Sequence, residues 1–444
     1  MEEFFMNLVY GVKDKPKFGQ MLVFAFQQIL AILAATIAVP SIIGNGMSQS
    51  AALFGAGVGT LIYQLFTKRN SPVFLGSSFA FIGSMFAAFG GAASTAAGYA
   101  GLVIGAGFAG LVYVIIALVV KVAGVNWINK LMPPVVIGPT VAIIGLSLAG
   151  NAVGDLTTGR VAGCSPYVAL ICGLVTLFAV IFFSVYGKKM AKLIPFILGI
   201  LTGYVVASIF TAIGIATGNA ALQVIDFSVF ADMGIVSLPD FTFMMAAKGL
   251  KDIDGAFIAT VAVAYIPVAF VVFAEHIADH KNLSTIIGSD LLTNPGLHCT
   301  LLGDGVGSFV GAFFGGCPNT TYGESVGCVA ITRNASVATI TTTAILCMLI
   351  SFFDPFVTFL ASIPNCVMGG VCITLYGFIA VSGLKMIQQV NLSASKNLFV
   401  AAVILISGIG GLSLTFGNVT LTSIACALIL GILVNVMVSK AKED

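Results

Sequence analysis

Pro318-Asn319-Thr320-Thr321-Tyr322-Gly323-Glu324 is a polar, helix-breaking stretch in a chain that otherwise reads almost entirely as membrane. Pro318 lacks an amide proton and disfavours helix in the residue before it. Asn319-Thr320-Thr321 is extended in type, and Gly323-Glu324-Ser325 opens a half-helix. A second stretch, Pro72-Val73-Phe74-Leu75-Gly76-Ser77-Ser78-Phe79, follows the same plan: a proline, extended residues, then Ser77-Ser78 to start a helix. Non-helical backbone at membrane depth is tolerated only where it is paired or lines a cavity. The two pieces are therefore expected to hydrogen-bond to each other, running in opposite directions. Each then leaves a half-helix N-terminus, with free amide donors and a positive dipole end, at the midplane.

The rest of the composition sets the frame. The chain is 59% hydrophobic and 8% charged over 444 residues, with mean hydropathy +1.09. No soluble globular domain is this poor in charge. Apolar runs of about 17–25 residues, the length that crosses hydrocarbon, recur along the sequence. Fourteen segments are expected, at about 20–39, 51–67, 72–90, 98–121, 131–150, 166–186, 193–213, 255–278, 296–315, 318–333, 337–353, 357–380, 397–413 and 419–438. The connection 214–252, with Asp226, Asp232 and Asp240, reads as an exposed loop or hairpin. Net charge +2 supports neither a nucleic-acid nor an acidic partner. The nine cysteines form no CxxC pair and read as small apolar fillers. His276, His280 and His298 do not have metal-site spacing, and no cofactor is expected. Glu2 and Glu3, then Lys13, Lys15 and Lys17, precede a full-length span, which reads as an uncleaved start.

The basic residues orient the spans. With the N-terminus in the cytoplasm, Lys13, Lys15, Lys17, Lys68, Arg69, Lys121, Lys130, Lys188, Lys189, Lys192, Lys281, Arg333, Lys385, Lys396, Lys440 and Lys442 all fall inside. Only Arg160, Lys248 and Lys251 fall outside, a positive-inside bias that requires an even number of spans and both termini in the cytoplasm. An internal repeat is also visible. Pro133-Pro134-Val135-Val136-Ile137-Gly138 resembles Pro364-Asn365-Cys366-Val367-Met368-Gly369, and the stretch at Pro72 resembles the one at Pro318. Both offsets are roughly half the chain, or seven segments. Seven is odd, so the second repeat is inverted in the membrane, as in secondary transporters.

Two carboxylates sit in the broken or polar parts of this pattern. Glu275 ends the apolar run Val261–Phe273, and Glu324 follows the Pro318 stretch. An ionisable group at mid-bilayer costs roughly 2.5–3.5 kcal/mol on insertion scales and usually faces a cavity with a function. Carboxylate acceptors beside amide donors suit a small planar solute with alternating C=O and N–H groups. Phe79 and Tyr322, at matching points of the two repeats, are placed to stack on its ring, although for an isolated Phe helix packing is the simpler reading. Asp279 is one helical turn past Glu275 on the same face; a proton relay and a solvated helix end are both open. Asp304, in Leu302-Gly303-Asp304-Gly305, is expected to hydrogen-bond unwound backbone near Pro318. Arg333 needs no role beyond the positive-inside rule.

Glu324-Ser325-Val326-Gly327-Cys328-Val329-Ala330-Ile331-Thr332-Arg333 resembles the signature of the nucleobase–ascorbate transporters, or nucleobase:cation symporters. The signature reads acidic or Gln, Asn, any, Gly, four residues, Thr, Arg. The likeness continues through Gln27-Gln28, Ala34-Ala35-Thr36, Gly76-Ser77-Ser78-Phe79-Ala80-Phe81, Ala274-Glu275-His276 and Tyr376-Gly377, and is strongest to the bacterial uracil permeases. It implies an all-α polytopic membrane protein of two inverted seven-span repeats, with short antiparallel strands in segments 3 and 10. It also implies a core domain from residues 1–125 and 253–354 (segments 1–4 and 8–11) and a gate domain from 126–252 and 355–444 (segments 5–7 and 12–14). By the same resemblance Glu275 and Glu324 accept uracil N–H groups. Backbone near Phe79, Tyr322 and Gly323 contributes, Ala35 lines the pocket, and Tyr376 approaches from the gate. An acid at 324 matches the uracil branch, where purine and xanthine branches carry Gln. Two departures, Ser325 for the common Asn and Asp279 where the uracil branch can carry His, fall on the expected proton path beside Glu275 and Glu324. A homodimer through the gate domains is implied too.

The resulting expectation is proton-coupled uracil import across the plasma membrane by alternating access. The other readings are a symporter for xanthine, another purine or a pyrimidine analogue; an anion transporter or channel on the same plan, which two buried acids disfavour; and, distantly, an intramembrane aspartyl protease suggested by Gly303-Asp304. The protease would need Asp279 as its second acid, and Asp279 falls near a membrane end.

Overall fold

A computed structural model describes residues 8–124, 127, 132–188, 190–231, 233–416 and 419–439. Glu2, Glu3, Lys130, Lys189, Asp232, Lys440 and Lys442, and the boundary drawn at 125/126, lie outside the described residues. The chain is mostly helical. In order it forms α1 (Phe18–Ile43), α2 (Gln49–Phe66), β1 (Leu75–Ser77), α3 (Ile82–Gly90), α4 (Thr95–Ala123), α5 (Pro134–Ser147), α6 (Ala149–Asp155), α7 (Pro166–Tyr186), α8 (Pro195–Thr217), α9 (Thr242–Gly249), α10 (Gly255–Ile287) and α11 (Leu297–Gly315). Then follow β2 (Asn319–Thr321), α12 (Gly323–Thr332), α13 (Val337–Ile350), α14 (Asp354–Ser362), α15 (Asn365–Ile387), α16 (Ser395–Ile409), β3 (Leu414–Phe416), β4 (Val419–Leu421) and α17 (Ser423–Val438).

Among the described residues eight helices are long and apolar enough to cross a membrane, and four shorter ones are apolar. At 1.5 Å per residue the 26-residue α1 spans ~39 Å, whereas the 10-residue α12 covers only ~15 Å, half a bilayer. The outer surface suits lipid: Phe178, Phe182 and Val185 of α7 are each more than half exposed. Inside, α2 packs along α11 and α5 along α15. The α2–α11 crossing is backbone to backbone: a Cβ on Gly59 would meet the Gly307 carbonyl oxygen at 2.8 Å, and a Cβ on Gly307 the Gly59 oxygen at 2.8 Å. Small residues at such crossings are how membrane helices gain contact without a hydrophobic driving force.

Four boundaries differ from the sequence reading. The run 357–380 is two helices, because Pro364 excludes helix at Ile363 and N-caps α15. The run 131–150 ends in two pieces, α5 and α6. The stretch 214–252 is not a bare loop: α8 continues to Thr217, and α9 buries Thr242, Ala246 and Gly249 against α4. A second hairpin, β3–β4, precedes α17 and was not expected from the sequence reading.

Candidate functional site

The two proline-led stretches meet. Leu75 pairs with Thr321, Gly76 with Thr320 and Ser77 with Asn319, antiparallel. Ser78 N–H donates to Pro318 O at 2.9 Å and Tyr322 N–H to Phe74 O at 3.3 Å, so the backbone at membrane depth is paired. Side chains fix the crossing from behind. Asn319 Nδ2 donates to Gly55 O at 3.1 Å and Leu75 N–H donates to Thr60 Oγ1 at 2.9 Å, both on α2. Tyr322 Oη donates to Ser77 O at 2.8 Å, which lays the ring across β1 at Gly76.

Each strand feeds a short helix. After β1 a single 3₁₀ turn, Phe79–Phe81, leads into α3; after β2 comes α12, with Glu324 in its first turn. First-turn amides have no intrahelical acceptor, so the N-terminus of α12 presents donors beside the Glu324 carboxylate. The third wall is α10. Its Asp254 N-cap accepts from Phe257 N–H at 2.7 Å, and its apolar residues carry it through the protein to Glu275 and Asp279. Asp279 Oδ2 accepts from Thr321 Oγ1 at 2.6 Å, tying α10 to β2.

These elements enclose a cavity of about 500 Å³. Ser78, Phe79, Thr320, Tyr322, Gly323 and Glu324 line it from the strands and their helices, and Glu275 and Asp279 from α10. Val141, Phe196, Leu375 and Phe378 close it from α5, α8 and α15, and Lys192 also lines it. Glu275, Glu324, Phe79, Tyr322, Gly323 and Asp279, scattered over a 246-position interval in the sequence, are thus brought to one pocket.

The remaining candidates do not line it. Ala35 is buried in the core, and Ala31, one turn earlier on α1, forms the wall instead. Tyr376 packs edge-on against Phe79, ring centroids 6.1 Å apart, behind the lining. Ser325 is buried and accepts from Gln28 Nε2 at 2.5 Å, joining α12 to α1. Asp304 corrects the sequence expectation: it does not hold backbone near Pro318, whose amides and carbonyls are occupied by the β1 pairing. Its Oδ2 bonds His276 Nδ1 at 2.7 Å. Sequence reasoning also missed Ser78, Thr321 and Lys192 in the lining. His276 had a usable signal, since a buried acid such as Asp304 demands a partner.

The sequence profile of the Permease family Xan_ur_permease matches residues 19–417. A uracil permease of Bacillus caldolyticus is 39% identical over 432 residues, 97% of this chain and 94% of that one. A uracil permease of Bacillus subtilis is 34% identical over 452 residues, 98% and 96% of the two chains. The transmembrane domain of a cyanobacterial bicarbonate transporter, BicA, superposes with TM-score 0.62 at 17% identity, covering 96% of this chain and all of that one; this likeness concerns the fold alone. The chain is therefore a permease, a multi-pass membrane transporter rather than an enzyme, and belongs to the nucleobase–ascorbate transporter family.

Proposed function

We propose that this protein imports uracil across the plasma membrane together with a proton, by alternating access. The observation that carries the reading is the convergence of Glu275 and Glu324, from two different elements, on one cavity walled by paired strands. Uracil is flat and neutral, with two N–H donors and two carbonyl acceptors. The carboxylates accept the N–H groups, amides at the starts of α12 and the Phe79–Phe81 turn donate to the carbonyls, and Phe79 and Tyr322 bound the ring faces. The relatives named uracil permeases, matched along nearly their whole length, support the same solute.

Among the described residues, the fourteen-segment plan takes in the eight long and four shorter apolar helices together with α2 and with β2 leading into α12. Matched segments of the two proposed repeats touch in three places, α2 with α11, β1 with β2 and α5 with α15. The cavity runs between the proposed core (residues 1–125 and 253–354) and gate (126–252 and 355–444), so sliding one against the other changes which side it opens to. Both termini are placed in the cytoplasm, and a dimer through the gate domains belongs to this reading. A fold shared with a bicarbonate transporter does not set the solute's charge, and an acid-lined cavity repels anions.

Asp279, bonded to Thr321 beside the cavity, stays with Glu275 and Glu324 as a proton-path candidate, and Ser325 as a support for α12. A neutral solute gains nothing from the membrane potential unless a charge moves with it, and one charge through 100 mV is worth about 2.3 kcal/mol, roughly a fortyfold concentration ratio. In proteoliposomes, acid outside is expected to stimulate labelled-uracil uptake and an uncoupler to collapse accumulation to the equilibrium level. Uptake indifferent to both removes proton coupling. A cavity of about 500 Å³ also admits two-ring bases, so xanthine or another purine is the second reading. Competition against labelled uracil separates them: uracil is expected to displace at lower concentration than any purine.

A further inference from the structure

Glu275 and Asp279 lie on the half of α10 that follows Pro267. Proline removes the amide that would have bonded the Val263 carbonyl, so the two halves of the helix are coupled more weakly than in an unbroken helix. Something must therefore set the rotation of residues 268–287, because a turn of a few tens of degrees about the axis would take both carboxylates out of the cavity. The two histidines stand at the positions immediately after the two acids, about 100° around the helix, and both are fully buried.

His276 is held at both ring nitrogens by α11: Nδ1 lies 2.7 Å from Asp304 Oδ2 and Nε2 3.0 Å from Thr300 Oγ1. For a neutral ring with Nδ1–H donating to the carboxylate, Nε2 is the acceptor and shares the Thr300 hydroxyl proton with Leu297 O, which lies 3.0 Å from the same Oγ1. His280 stacks on His276 with centroids 4.0 Å apart, and its Nε2 lies 2.7 Å from Tyr63 Oη on α2. None of these groups lines the cavity. The buried carboxylate of Asp304 has no other role in the site, and a doubly held imidazole is a costly arrangement to bury unless its orientation matters.

We infer that His276, gripped by Asp304 and Thr300, is a positioning residue that sets the rotation of the Glu275–Asp279 face and so aims both carboxylates at the solute. The inference rests on the reading of that cavity as the uracil site. Misaimed acceptors cost ground-state binding, so the loss appears in KM and in equilibrium binding ahead of the maximal rate. His276→Ala is expected to raise KM and Kd for uracil about tenfold or more, the scale of a lost charge-assisted hydrogen bond. His276→Asn keeps a donor toward Asp304 and is expected to restore affinity to within about threefold of the parent.

The experiment measures uracil binding and uptake for the parent, His276→Ala, His276→Asn and Thr300→Val, each as full-length protein in lipid with its thermal midpoint recorded. Thr300→Val removes only the hydroxyl partner and is expected to raise KM by a smaller factor, which keeps the test informative should the alanine variant not fold. The inference is overturned if His276→Ala and Thr300→Val leave KM unchanged, or if His276→Asn binds no better than His276→Ala. A parent that binds no uracil at all overturns the solute assignment instead.

Discussion

Glu275→Ala and Glu324→Ala are each expected to abolish measurable uracil binding by the purified protein. On the proposed reading, each removes the acceptor for one uracil N–H. A hydrogen bond to a charged group contributes about 1.5–3 kcal/mol, and the donor left unsatisfied adds a desolvation cost of about 1–3 kcal/mol. Together these correspond to a loss of roughly a hundredfold or more in affinity. The glutamine variants separate two roles that the alanine variants merge. Gln keeps a carbonyl acceptor at the same place but cannot take up or release a proton. At the carboxylate that carries the proton, Glu→Gln is expected to retain uracil binding within about tenfold while accumulation against a gradient is lost. At the other carboxylate, accumulation survives in proportion to binding. Isothermal titration with the purified variants and uptake in proteoliposomes read the two quantities independently. Unchanged affinity in both alanine variants would remove these residues from the site. Asp279→Asn, assayed alongside, tests the third acid of the cavity, whose bond to Thr321 Oγ1 makes it part of the wall whether or not it handles protons.

How much of this was legible beforehand follows from which interactions are local. The broken segments announced themselves because proline acts on its own neighbours: Pro72 and Pro318 each open a segment, and the strands begin within a few residues of both. The acids were legible because a carboxylate in an apolar run is expensive wherever it points. What could not be read was azimuth. Ala35 and Ala31 differ by one helical turn, and only the placement of α1 against the cavity decides which reaches it. Asp304 needed a partner, but whether that partner was strand backbone or His276 depended on how the consecutive helices α10 and α11 are rotated against each other, which no local pattern fixes. The division of 357–380 at Pro364 was a local signal given too little weight against a continuous hydropathy run. The hairpin β3–β4 did leave a local trace, the alternation of Leu414-Thr415-Phe416 and Val419-Thr420-Leu421 around Gly417-Asn418, but it was outweighed by the apolar run that follows.

Gly76→Ala is the second large effect, and it tests the strand crossing without touching a charge. Gly76 pairs with Thr320 at the centre of the three-residue register, where the two strands are related most symmetrically. A Cβ built there falls against the edge of the Tyr322 ring, closer than non-bonded atoms approach. The ring cannot swing aside freely, because its Oη donates to Ser77 O at 2.8 Å and the residue is almost wholly buried. A methyl group therefore forces out the aromatic wall of the cavity, the Tyr322–Ser77 bond, or the strand pairing itself. Overpacking of a dense interior typically costs about 1–3 kcal/mol, and any of these adjustments displaces Tyr322 from the solute. The expected result is a lower thermal midpoint and a loss of uracil affinity of tenfold or more. Gly327→Ala is the control: it lies on α12 in the same cavity wall with open space around its added methyl, and a helical Gly→Ala change is neutral to stabilising. Adding Tyr322→Ala to Gly76→Ala vacates the space the methyl needs. The double variant is then expected to recover the thermal midpoint lost by Gly76→Ala without recovering affinity, a coupling between neighbours that distant sites do not show. If Gly76→Ala behaves like Gly327→Ala in both measurements, the tyrosine does not lie across the strand, and the cavity has a different wall.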